Sequence, residues 1–195
     1  MNEKQTTRKE VIARRNAIDA AERARRSERA CGELTRYLAP HLSRGARIAV
    51  YHALGSEVDL AAFVSQAQSH GWRCAFPVMM KHDVEDVATM TFWDVPEDGA
   101  PRAFFDRPAR AVAPDDPSLE GCVPVKPQEM DAVVVPLVAF DAENHRLGYG
   151  GGNYDRFLPQ LRKGTVVCGI AFSEQRIERV PLEEHDLPLP HIIVA

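Results

Sequence analysis

Residues 131–157 read DAVVVPLVAFDAENHRLGYGGGNYDRF, and the order of residue types in this stretch decides the fold. Asp131–Phe140 is a near-continuous apolar run, the pattern of a central strand covered on both faces. Gly148, Gly150, Gly151 and Gly152 follow, and then Tyr154, Phe157, Leu158 and Leu161 take the i, i+3, i+4, i+7 spacing of a helix. Strand, glycine turn, helix puts the glycines at the carboxyl end of a central strand, where α/β proteins bind ligands. Glycine permits positive φ and lets backbone N–H groups approach phosphate oxygens. A helix N-terminus beyond them favours an anion.

Outward from this stretch the pattern repeats. Arg47–His52 (RIAVYH) and Trp72–Pro77 (WRCAFP) read as buried strands. Between them Asp59 caps a helix with Leu60, Phe63, Val64 and Ala67 on one face, stopped at Gly71. Strand–helix–strand is the signature of a parallel α/β unit. Thr165–Phe172 (TVVCGIAF) is a further strand, and the tail ends in an extended Ile192–Val194. Before all of these, residues 4–42 read as helical, with Asp19 and Glu22 opening a second helix. Residues 83–127 are rich in proline beyond a strand near Val87–Val95; they read as loop and edge, a lid or binding rim. The expected fold is a single α/β domain over residues 1–195, with a mainly parallel central sheet flanked by helices and an N-terminal helical segment.

The 195 residues are 45% hydrophobic and 27% charged, which excludes a largely disordered chain. Net charge is −4, which gives no reason to expect nucleic acid, yet residues 1–47 hold 12 of the 24 Lys and Arg against 6 acids. Such a basic segment is either a solvated helix face or a surface for an anionic ligand. Cys31, Cys74, Cys122 and Cys168 form no C-x-x-C pair, so they read as buried thiols rather than a zinc or redox site. No window reaches the about 18 apolar residues of a membrane span, and the N-terminus lacks the apolar core of a signal peptide. A cytoplasmic location is expected.

Two familiar phosphate motifs do not fit the glycines. No Gly-Lys-Ser/Thr occurs, as a Walker A loop requires. Gly148 and Gly150 match a dinucleotide fingerprint and Glu174 mimics its ribose acid, but Asn153 holds the third glycine's place, late in the chain. A purely structural turn remains open. Against it, Arg146 and Arg156 bracket the glycines, suited to bidentate phosphate contact and phosphoryl stabilisation. Asp155 is a hard oxygen donor beside them, suited to Mg²⁺ shared with phosphates.

Arg146–Leu158 (RLGYGGGNYDRFL), preceded by VVVPLVAFD, resembles the signature of the 5-formyltetrahydrofolate cyclo-ligase family, approximately RLGxGxGYYDRFL. KQTTRKEVIARRNAI (residues 4–18), GSEVDL (residues 55–60) and VPLEEHDLPL (residues 180–189) resemble three further family segments in order. The resemblance implies an α/β fold and an ATP- and Mg²⁺-dependent closure of 5-formyltetrahydrofolate to 5,10-methenyltetrahydrofolate. It implies nucleotide contacts from Lys4, Arg8, Arg146, Leu147, Gly148, Tyr149, Gly150, Gly151, Gly152, Asn153 and Tyr154. It implies substrate contacts from His52, Glu57, Gly150, Gly152 and Tyr154, and Mg²⁺ carboxylates at Asp155 and Asp186. Expected partners are small molecules, with no nucleic acid or membrane, for a monomer. Asn153 in place of the first Tyr of YYD, Leu137 in place of Gly, Val78 in place of Arg and Pro190 in place of an acid depart from the pattern. These departures leave two other readings open: a folate- or nucleotide-binding relative with weak catalysis, and an ATP-dependent enzyme on another formyl or amide substrate.

Overall fold

The computed structural model describes residues 2–81, 88–96, 103–183 and 188–195. Helix α1 (Glu3–Asn16) opens with a capping box, in which Asn2 Oδ1 accepts from the Gln5 amide at 2.9 Å and Gln5 Oε1 from the Asn2 amide at 3.1 Å. Helix α2 (Ala20–Leu38) starts where Asp19 Oδ1 accepts from the amides of Ala21 and Glu22. Then follow β1 (Arg47–Ala49), α3 (Ala61–Ser69), β2 (Arg73–Met80), β3 (Thr89–Asp94), the short α4 (Ala103–Asp106), β4 (Ala111–Val112) and β5 (Val123–Val125). The C-terminal half holds β6 (Ala132–Pro136), β7 (Ala139–Phe140), β8 (Arg146–Leu147), α5 (Asn153–Phe157), β9 (Val166–Ala171) and β10 (Ile192–Val194). Asp59 works one residue earlier than a formal cap, its Oδ1 accepting from the Ala61 amide at 2.9 Å.

The main sheet runs β10-β9-β6-β1-β2-β3-β5, with β4 paired to the end of β2. From β10 to β2 every pairing is parallel; β3 and β5 add an antiparallel edge. Strand side chains alternate between faces, and the core divides accordingly. Ile48, Ala132, Val134, Cys168 and Ile170 pack with α2 and α3 through Cys31, Leu34, Leu38, Phe63 and Ala67. The next residue along each strand (Ala49, Val133, Val135, Ala171) faces the opposite layer with Phe92, Phe157 and Leu189. Burial pushes the Cys31 thiol up to about 11 and Cys168 up to about 12, so both are protonated packing groups, as expected; Cys74 and Cys122, expected to be buried as well, are only half-buried.

Two expectations are corrected. The apolar run 131–140 is not one strand: β6 ends at Pro136, and the chain turns through Leu137–Val138 into β7, which pairs with β8 outside the main sheet and makes one parallel bridge to Arg176. The carbonyls freed by the break are satisfied by the buried Gln175, whose Nε2 donates to Leu137 O at 2.5 Å and Val138 O at 3.1 Å. The helix after the glycines is also shorter than its periodicity predicts. α5 ends at Phe157 and a 3-10 turn covers Leu158–Gln160, because Pro159 has no N–H and crowds the carbonyl four residues back. Of the loop-and-edge reading of residues 83–127, residues 83–87 and 97–102 lie outside the described residues; β5 is an edge strand, β3 is paired on both sides, and the stretch also contains α4 and β4. Among the described residues no helix is long and apolar enough to cross a membrane.

Candidate functional site

Strand order reverses at β1: the chain runs outward to β2, then returns to the other side of β1 as β6, and continues to β9. Such a switch point leaves a crevice beyond the carboxyl ends of the two strands. A cavity of about 590 Å³ lies there, with Tyr51 and His52 after β1 and Pro136 at the end of β6 in its wall. The glycine loop, residues 148–152, forms another wall.

The loop is mounted on the β7–β8 hairpin, outside the main sheet, and α1 packs against that hairpin. Val11 is buried among Val138, Ala139, Leu147 and Val180. At the hairpin turn the buried Asp141 carboxylate accepts from the amides of Glu143, His145 and Val180 at 3.0–3.1 Å and lies 3.2 Å from His145 Nδ1. Asp141, Glu143 and His145 are close enough to hold a cation. Those hydrogen bonds occupy both Asp141 oxygens, so the group reads as a turn brace.

Gly150 (φ 98°) and Gly152 (φ 64°) take backbone conformations that side chains resist. Among the described residues the amides of Gly150, Gly151 and Gly152 donate to no protein acceptor. Arg8 Nε donates to Gly148 O at 2.7 Å, and its guanidinium carbon lies 3.3 Å from where a Cβ on Gly150 would stand. Lys4 pairs with Glu183 at 3.2 Å on the same rim. Arg146 is ion-paired with Asp155, and both line the cavity. Lys4, Arg8 and Arg146 thus gather around unpaired amides. Arg156 lies apart from them: its Nη2 donates back to Gly151 O and Asn153 Oδ1, each at 2.8 Å, bracing the loop from behind. α5 is under two turns long, so its dipole adds little; the open donors of the site are the loop amides, while Lys4 and Arg146 are held at the rim by Glu183 and Asp155.

The inner end of the cavity has a different character. Glu57 is 5% exposed. Its Oε2 accepts from the Leu54 amide at 2.8 Å, while Oε1 has no hydrogen-bond partner. Burial pushes its carboxyl up, opposed by the Leu54 amide and by Arg15. His52 stacks on Phe76 at 5.2 Å between ring centroids and meets the edge of Phe105 at 4.7 Å. Burial lowers it to about 4, so its ring is neutral at ordinary pH, with Nε2 buried and without a hydrogen-bond partner among the described residues. Burial raises the Tyr51, Tyr149 and Tyr154 hydroxyls.

The cavity therefore brings together Lys4, Arg8, His52, Glu57, Arg146, Leu147, the whole of Gly148–Gly152, Asn153, Tyr154 and Asp155 from three separated stretches of chain. Arg156 stands outside its lining, and Asp186 lies outside the described residues. Asn153 Nδ2 contacts Met79 Sδ at 3.8 Å. Sequence reasoning passed over Met79, Met90 and Glu183 in the wall, and Arg15 behind it, which hydrogen-bonds Tyr149 at 2.8 Å. Arg15 had one usable signal, its seven-residue spacing from Arg8, which puts both on one helix face.

Fold and cavity define an α/β protein with a glycine loop and three cations at the switch point of its sheet. A family model described as the 5-formyltetrahydrofolate cyclo-ligase family matches residues 1–195; the chain belongs to that family. It is 27% identical over 184 residues to a 5-formyltetrahydrofolate cyclo-ligase of Escherichia coli, covering 94% of this chain and 95% of that one. The structure of a 5,10-methenyltetrahydrofolate synthetase from Mycoplasma pneumoniae superposes with a TM-score of 0.74 at 24% identity, covering 98% of each chain. One from Aquifex aeolicus gives 0.72 at 27% identity, over 98% of this chain and 89% of the other.

Proposed function

We propose that this chain is an ATP- and Mg²⁺-dependent 5-formyltetrahydrofolate cyclo-ligase. One observation carries the reading: a single cavity joins unpaired loop amides and three cations at one end to a buried, half-satisfied carboxylate at the other. The first end suits a triphosphate. The second suits a planar heterocycle whose N–H groups donate to Glu57 Oε1, which otherwise stays a buried acceptor without a donor.

In the reaction, the formyl oxygen of 5-formyltetrahydrofolate attacks the γ-phosphorus of ATP and the bond to ADP breaks. N10 then attacks the activated carbon, N10 gives up its proton, and phosphate leaves with the former formyl oxygen. Such chemistry asks the protein for alignment and charge neutralisation rather than a nucleophile. Lys4, Arg8 and the loop amides hold the phosphates, and Arg146 exchanges its partner Asp155 for a phosphate oxygen. The inner wall, with Tyr51 buried and His52 and Tyr154 half-buried, limits the access of water to the activated carbon. Arg156 acts through the loop it braces.

The donors fit Mg²⁺, which favours one or two carboxylates together with phosphate oxygens. Asp155 lines the rim, and Asp186 is the proposed second carboxylate. Bound there, Mg²⁺ supplies neutralising charge to the phosphates. The protein is expected to work in the cytoplasm as a monomer.

The test is an absorbance assay for the methenyl product. Purified protein with 5-formyltetrahydrofolate, Mg²⁺ and ATP should develop the product band, and omission of ATP should abolish it. No band with ATP present would sink the reading. Asp155→Ala should move the Mg²⁺ titration to higher concentration; an unaltered titration removes Asp155 from the metal site.

A further inference from the structure

Arg15 is 2% exposed, in the last turns of a helix that otherwise buries only Val11. A guanidinium withdrawn from water needs its five donors satisfied. Its Nε donates to Ser56 Oγ at 2.9 Å and its Nη2 to Tyr149 Oη at 2.8 Å. Nη1 is buried without a hydrogen-bond partner, and 4.0 Å away stands Glu57 Oε1, which also lacks one. Opposite charges are thus adjacent, yet held beyond hydrogen-bond distance by the two bonds that fix the guanidinium.

The partners of Arg15 come from the two ends of the cavity. Ser56 and Glu57 belong to the turn after β1, and Tyr149 is a side chain of the glycine loop. Arg8, on the same helix face, holds the loop by its Gly148 carbonyl. We infer that Arg15 is a positioning residue: it fixes Tyr149 of the loop and holds Glu57 as a ready, charged acceptor, so that one side chain aligns the phosphate and heterocycle ends of the site. The inference rests on the function proposed above and deepens it.

Burial raises the Glu57 carboxyl, and Arg15 opposes that. The other titratable groups that face Glu57 are Tyr51 after β1, Tyr149 of the loop and Tyr154 of α5. Burial raises all three hydroxyls, so they remain neutral where Glu57 titrates. The Leu54 amide, Arg15 and Tyr149 favour the ionised carboxylate against burial, and Arg15 is the positive charge among them. Removing it favours the protonated form, and the pH at which Glu57 ionises must move upward.

The experiment follows Glu57 directly, by carbon NMR of protein labelled at its glutamate carboxyls, with the resonance assigned through Glu57→Gln. In Arg15→Gln the Glu57 titration should move up by about one pH unit or more; in Arg15→Lys, which keeps the charge, it should stay near that of the unaltered protein. Steady-state turnover should show a KM for 5-formyltetrahydrofolate raised about tenfold in Arg15→Gln, with the acidic limb of kcat/KM displaced upward. A folded Arg15→Gln protein with an unmoved Glu57 titration overturns the inference. If Arg15→Gln does not fold, Arg15→Lys decides, because lysine cannot reach Ser56 and Tyr149 together. An unchanged folate KM in that variant then overturns the inference, and a raised KM supports it. Absent turnover in the unaltered protein removes the cyclo-ligase reading, while the NMR titration still decides the role of Arg15.

Discussion

Two arginines are buried among the described residues, and they are treated in opposite ways. Arg26 on α2 donates to both oxygens of Glu174 at 2.7 Å, to Ser173 Oγ at 3.0 Å and to the Ala195 carbonyl at 2.8 Å, and it lies over the Phe172 ring. Arg15 on α1 makes two hydrogen bonds and leaves a third donor facing the open oxygen of a half-satisfied carboxylate. The first arrangement is what folding alone favours, since a withdrawn charge must be matched. The second is tolerable where a ligand completes it. The contrast separates a joint that ties β9 and β10 to the helical layer from one that ties two ends of a binding cavity.

The sharpest way to break the comparison is to neutralise each acid partner in turn. Glu57→Gln should lower kcat/KM for 5-formyltetrahydrofolate by about 10- to 100-fold, the worth of a hydrogen bond to a charged group, with little change in melting temperature. Equal loss of activity and stability would make Glu57 a structural residue like Glu174.

Arg26→Met should act on stability and spare turnover. Because Glu174 remains about one-third exposed, the cost in urea unfolding is expected near 2 kcal/mol rather than the larger loss of a fully buried pair. The pair also has a pH signature. Hydrogen bonding from Arg26 holds the folded Glu174 carboxyl at about 2 against an ordinary 4.5. Its contribution is thus complete above 4.5 and is lost as pH falls toward 2. Unfolding curves across that range should steepen on the acid side for the unaltered protein and flatten for Arg26→Met.

A smaller effect is expected from Gly150→Ala. The new Cβ meets the Arg8 guanidinium at 3.3 Å in a φ 98° backbone, a strain of about 1–2 kcal/mol. The KM for ATP should rise while folate binding is preserved, measured by varying each substrate separately. A change confined to folate would place Arg8 at the wrong end of the cavity.

Much of this arrangement was legible in the sequence. The parallel core followed from period-independent apolar runs, and the glycine loop from residue types that have few other uses. The cavity's cations were legible as a local excess over residues 1–47, though only packing showed which ones turn inward. Arg15 was hidden because a charged residue in a basic helix reads as solvated, and nothing local says that Tyr149 and Ser56 come to meet it. The break after Pro136 was hidden for a similar reason. Its stabiliser is Gln175, almost forty residues away, and a run of Val and Leu carries no mark of where it bends. The early end of α5 did carry a mark, Pro159, which the apolar spacing outweighed.

The mounting of the glycine loop has a consequence for biosynthesis. α1 leaves the ribosome well before the residues it packs against, Val138, Ala139, Leu147 and Val180. Arg8 waits 140 positions for Gly148, and Arg15 waits 134 for Tyr149. The site is therefore finished only after the glycine loop has been made, and a chain stalled before residue 138 carries its phosphate-facing helix without the hairpin it grips.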